Sequence, residues 1–279
     1  MESIYSIIDT ILPFEWLEMN FMKNAFLAIL IACPLFGTLG TFVVSNKMAF
    51  FSDAIGHSAL TGVALGVILG MRDVTAAMVG FSVILGFAII TVKIKGKASA
   101  DTIIGVFSSA SVALGIVLLS ATSSLSKYQK YLTGDILSIR PEEILLLFIS
   151  GILLFVIWIV FYNHMLLTSL HSTFAKSRGI KTFLIEQIFA LITAAIVTLS
   201  LRWTGLLVIN SLLVLPAASA RMISRSSRQY LGFSILSAFI SGITGLCISY
   251  YLGSASGATI VLTNTVIFIF CLAFRKKAG

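Results

Sequence analysis

The chain has 279 residues, of which 58% are hydrophobic and only 11% charged, with a formal net charge of +8. A typical soluble domain has about a quarter charged residues, and a water-soluble fold of this length cannot hide so much apolar surface. An ordinary soluble fold is therefore excluded, and lipid must satisfy the hydrophobic effect. Inside lipid the backbone must pair with itself, which leaves helices or closed barrels. Barrel strands alternate apolar and polar residues, whereas 144–160 and 261–274 are continuous apolar runs. The expected fold is an all-α, polytopic transmembrane helical bundle whose spans fill almost the whole chain.

Residues 1–18 carry Glu2, Asp9, Glu15 and Glu18 and no Lys or Arg. A signal peptide would begin with positive charge, so this stretch predicts an amphipathic interfacial segment. Apolar runs follow near 19–44, 47–70, 74–93, 101–121, 142–163, 181–201, 205–220, 229–252 and 257–274. A span needs about 20 residues. The run at 205–220 is short, so eight or nine spans are expected. If nine spans alternate, one side collects 13 of the 19 basic residues, including Lys93, Lys95, Lys176, Arg178 and Arg221. That side should be cytoplasmic, which puts the N-terminus outside and the C-terminus inside. The positive charge is thus a topology signal, and it does not point to nucleic acid. No internal repeat is evident, and Cys33, Cys247 and Cys271 lie in apolar runs as packing residues.

Asp53, Asp101 and Glu186 are acids within or against the spans. Asp101 opens its run, where a helix N-terminus favours a carboxylate. Glu186 lies about one turn inside its run beside Gln187, and an interfacial or helix-packing role is expected. Asp53 differs, because the only other ionisable residue in FFSDAIGHSALTGVALGVILG is His57. A spacing of four puts both side chains on one helix face. A carboxylate within the membrane costs about 2.5–3.5 kcal/mol on insertion scales, so the pair suggests a site facing the bundle interior. Carboxylate oxygen with imidazole nitrogen suits zinc or manganese, although two ligands leave the shell incomplete. A helix-packing Asp–His hydrogen bond and a proton relay are the alternatives. His164 and His171, seven residues apart with no acid nearby, make a weak metal site.

The polar, basic segment SLHSTFAKSRGIKT (169–182) is bounded by spans. Ser172 fits as the cap of a short helix through 173–178, with Gly179 ending it. A cytosolic helix of this kind is a docking element; an ordinary basic loop that fixes topology is the alternative. The chain has no GxxxxGK[ST] loop, no Ser-His-Asp arrangement and no dinucleotide fingerprint. If transport is ATP-driven, hydrolysis occurs on another polypeptide, and this chain is not itself an enzyme.

Three stretches resemble the membrane permeases of bacterial zinc/manganese/iron ABC importers: NKMAFFSDAIGHSALTGVALG (46–66), KYLTGDILSI (130–139) and TGLLVINSLLVLPAASARMI (204–223). The loop HSTFAKSRGI (171–180) is similar to the docking loop of that family. The resemblance covers nearly the whole chain in order and implies a type II ABC importer permease-like fold, a single transmembrane permease domain over 1–279. It implies a bacterial cell-membrane protein that imports a divalent transition metal, zinc or manganese and possibly iron, as a transported ion without a permanently bound cofactor. The implied partners are a second permease copy in a homodimer, cytoplasmic ATP-binding subunits and an extracytoplasmic metal-binding protein, within the lipid bilayer.

By the same resemblance Asp53 and His57 form a metal-coordinating gate. His171, Ser172, Thr173, Phe174, Ala175, Lys176, Ser177, Arg178, Gly179 and Ile180 form the ATPase-coupling loop. Thr61 stands where the family has proline, which implies a straighter helix. His171 or Ser172 stands where an acid is expected, and Pro216 matches a family proline that would bend or end its span. The competing readings are an ion-coupled secondary carrier, a permease for a metal chelate such as a siderophore, and an intramembrane hydrolase. The last lacks an H-E-x-x-H helix.

Overall fold

The computed structural model describes residues 2–12, 14–96, 98–121, 134–170 and 172–274. Among them every regular element is helical: α1 (Glu2–Ile11), α2 (Asn20–Ser45), α3 (Phe51–Ile68), α4 (Thr75–Lys95), α5 (Ala100–Ala121), α6 (Pro141–Leu170), α7 (Ser172–Ser177), α8 (Thr182–Ile223), α9 (Ser227–Leu252) and α10 (Ser256–Ala273). Two single 3-10 turns lie at Glu15–Leu17 and Ile136–Ser138. Seven helices are long and apolar enough to cross a membrane, and α6, broken between Ile157 and Val160, makes eight. Eight, with α8 counted once, is the lower of the two expected span counts.

The break expected between two apolar runs is present in α8. The apolar runs at 181–201 and 205–220 form two helical segments that meet at a kink and are labelled together as α8. Its helical geometry is interrupted at Gly205 (φ 76°, ψ 157°) and not at Pro216. The helix continues past Pro216 to Ile223, whereas the glycine at 205 reaches a backbone region closed to other residues.

The chain forms two compact units, Met1–Thr41 with Asp135–Leu153 and Trp203–Gly279, and Phe42–Gly134 with Leu154–Arg202. In the first unit, small residues let backbones approach closely. A Cβ on Gly40 would lie 1.9 Å from the Leu213 carbonyl oxygen, and one on Gly245 would lie 2.6 Å from the Ile260 Cα. Polar side chains reinforce the same contacts. Ser234 donates to the Gly37 carbonyl at 2.8 Å, Cys33 to that of Ala238 at 3.2 Å, and Asn264 to the Ser211 hydroxyl at 3.1 Å. The N-terminal segment is tied down by Lys23, only 5% exposed, which pairs with Asp9 at 2.7 Å. Ile8, Trp16 and Leu17 are buried while Ile7, Ile11 and Phe14 are exposed, the two-sided pattern expected of an interfacial segment.

The second unit is built around α3, with 13 of its 18 residues buried, so the few uncovered positions stand out. Gly62 abuts the Met78 backbone of α4, and Gly115 of α5 abuts Thr61. Thr61 keeps its backbone N–H and α3 runs unbroken, as the missing proline predicts. Its buried hydroxyl donates to the Ser111 carbonyl of α5, and the Ser58 and Ser82 hydroxyls lie 3.1 Å apart between α3 and α4.

Candidate metal site and coupling loop

Asp53 lies in the first turn of α3 and His57 one turn further on. Their neighbours Ser52, Ala54, Ile55, Gly56 and Ser58 are buried, whereas the Asp53 and His57 side chains are 42% and 39% exposed. The pair therefore marks the uncovered face of a helix otherwise sealed by α4 and α5. The Asp53 Oδ1 and His57 Nε2 atoms are 3.6 Å apart, beyond good hydrogen-bond geometry. Both side chains project from one helix, so this pair does not hold two helices together. Zinc bound tetrahedrally at 2.0–2.2 Å separates adjacent oxygen and nitrogen ligands by about 3.4 Å. The observed spacing is close to that bite. Among the described residues no third His, Cys, Asp or Glu joins them.

The loop expected at 171–180 contains α7. Ser172 is its first described residue, and His171 lies outside the described residues. The far end is as expected. Gly179 adopts φ 77°, its N–H bonds to the Lys176 carbonyl at 3.0 Å, and the Ile180 N–H bonds to the Ala175 carbonyl at 3.1 Å. These two bonds satisfy carbonyls that a helix end leaves open. Ala175 is fully buried, whereas Phe174 is 48% exposed with the Arg178 guanidinium 4.9 Å from its ring centre. The short helix thus presents an aromatic knob bearing a cation, a combination enriched at protein interfaces.

The other singled-out residues separate from this site. Asp101 is exposed in the first turn of α5, and His164 is exposed on α6. Glu186 pairs with Lys93 at 3.0 Å, an interhelical contact that sequence spacing could not reveal across 93 residues. Residues 130–133 of the KYLTGDILSI stretch lie outside the described residues. Sequence reasoning also passed over the Thr61–Ser111 bond, because a hydroxyl in an apolar run carries no trace of its partner.

The geometry defines a multi-span helical membrane protein with a half-exposed carboxylate–imidazole pair and a short loop helix. The model of the ABC 3 transport family matches residues 18–275, and the chain belongs to that family. It is 32% identical over 240 residues to the high-affinity zinc uptake system membrane protein ZnuB of Haemophilus influenzae, covering 86% of this chain and 92% of that protein. It is 28% identical over 264 residues to the manganese transport system membrane protein MntC of Listeria innocua, covering 94% of each. Among solved structures it is similar to PsaBC from Streptococcus pneumoniae in complex with Fab. There the TM-score is 0.79 at 25% identity, over 98% of this chain and 95% of that one.

Proposed function

We propose that this chain is the permease subunit of an ATP-driven importer for a divalent transition metal, zinc or manganese, in the bacterial cell membrane. The observation that carries the reading is the half-exposed Asp53–His57 pair, 3.6 Å apart on an otherwise buried helix. The relatives named for zinc and manganese uptake supply the ion class. A second copy of the chain completes the shell with its own carboxylate and imidazole, a two-fold arrangement natural to homodimers. The metal is cargo: the shell must bind weakly enough to release it inward. Coordination needs an unprotonated imidazole, so acid weakens binding. A separate cytoplasmic ATP-binding subunit docks on α7 through Phe174 and Arg178, and an extracytoplasmic metal-binding protein delivers the ion. Residues 1–279 act as one permease domain.

The test is metal accumulation in cells that depend on this importer, measured with Asp53→Ala, His57→Ala and the double substitution at matched membrane expression. Each should lower zinc or manganese uptake at least about tenfold, a loss of roughly 1.4 kcal/mol or more. Normal accumulation by the double variant would sink the gate assignment. Metal movement by the purified chain alone in liposomes, along an ion gradient, would instead establish a secondary carrier.

A further inference from the structure

The chain on either side of α7 converges on one turn. The Phe42 ring, at the end of α2, meets Tyr162 of α6 edge-on at 6.2 Å and Phe189 of α8 at 6.0 Å between ring centres. The turn that follows, 46–50, contains Lys47 at φ 55°, the only positive-φ non-glycine among the described residues. Its bonds follow the same pattern as those that close α7: the Lys47 N–H to the Val44 carbonyl at 3.2 Å and the Met48 N–H to the Val43 carbonyl at 2.9 Å. Glycine is the usual residue at such a position, so this turn holds strain, which proteins concentrate at functional elements.

Met48 is 1% exposed, and two contacts set its place. Its sulfur lies 3.4 Å from the Lys93 ammonium, which is 3.0 Å from the Glu186 carboxylate in the second turn of α8. Its carbonyl accepts the Phe51 N–H at 2.9 Å, and Phe51 opens the helix whose first turn holds Asp53. A cleft lined by Met48, Met165, Thr168, Ile185, Glu186 and Phe189 lies beside the ion pair. The Thr168 hydroxyl in it is buried and makes no hydrogen bond. The ends of α6 and α8 thus have unfilled space next to the contact that joins them to the turn.

We infer that the Lys93–Glu186 ion pair, seated on Met48, is a positioning element that carries movement of the coupling loop to Asp53 and His57. The inference rests on the proposed docking of an ATPase at 171–180. Stability is a poor account of the pair. Both side chains are only 19% exposed, and apolar residues of similar volume commonly replace such pairs without loss of stability. A mechanical link needs a directional, breakable contact, which a charge pair at a helix end supplies. Movement of α7 shifts Glu186, Glu186 draws Lys93, and Met48 passes the displacement to the start of α3.

The experiment uses the assembled importer in proteoliposomes, with metal-loaded binding protein outside, and measures metal moved per ATP hydrolysed. Lys93→Met, Glu186→Leu and the double variant are compared with the unaltered chain. Each single variant and the double should lower the ratio alike, by about fivefold or more, because either change breaks one link. Basal ATP hydrolysis and co-purification of the subunits should be unchanged. The double variant guards against misfolding, since it leaves no unpaired charge. A ratio within twofold of the unaltered complex in the double variant would overturn the inference, as would single effects that multiply. An unaltered complex that moves no metal on ATP hydrolysis would overturn the functional reading first.

Discussion

Gly62 has no room for even a methyl group: a Cβ there would lie 2.5 Å from the Met78 Cα and 2.9 Å from the Ala77 carbonyl oxygen. Backbone cannot swing aside as a side chain can, so Gly62→Ala should destabilise the protein by about 1–3 kcal/mol. Thermal denaturation in detergent checks this, and an unchanged midpoint would contradict the packing described. At Asp73, between α3 and α4, the Thr75 hydroxyl and backbone N–H donate to the carboxylate at 2.6 and 2.9 Å. These bonds, helped by the Arg202 charge, hold its carboxyl below the usual carboxylate range. A carboxyl lowered by folding stabilises above its unfolded pKa, and that contribution disappears as pH falls through the folded value. Asp73→Asn should therefore flatten the acid limb of the stability–pH profile while leaving the alkaline side alone. Sequence made the Asp53–His57 pair legible because charge in an apolar run is conspicuous. It could not show Thr61 bonding to Ser111, or Gly62 meeting Met78, since neither residue type announces a distant partner.

At the scale of elements, α7 was legible for a local reason: Gly179 supplies a backbone state that other residues enter at a penalty, and it stands just past a polar helical stretch. Gly179→Ala should cost about 1–2 kcal/mol in that closing turn, fraying the helix that presents Phe174. Co-purification of the ATP-binding subunit should fall accordingly, and undiminished co-purification would count against docking at this loop. The α8 break was less legible. Arg202 and Thr204 beside Gly205 suggest a loop between two spans, yet the helical stretch resumes immediately after a single glycine. Pro216 drew attention as the helix breaker, but the helix continues past it to Ile223.

For the whole molecule, hydrophobic run lengths gave the fold class and a count of spans that meets the structure at eight. The division into two interleaved units had no sequence counterpart, because contacts such as Ser234 with Gly37 link residues 197 apart. If each chain contributes half of a shell, the purified permease should bind one zinc or manganese ion per two chains, by equilibrium dialysis with metal analysis. One ion per chain would exclude a shared site. As the proposed ligands, Asp53 and His57 would ride on consecutive turns of one helix, four residues apart. In ligand-exchange terms they would then form a chelate arm with a fixed bite that lets go as a unit. Metal off-rates should then follow the displacement frequency of α3, while faster side-chain rotation leaves them unchanged.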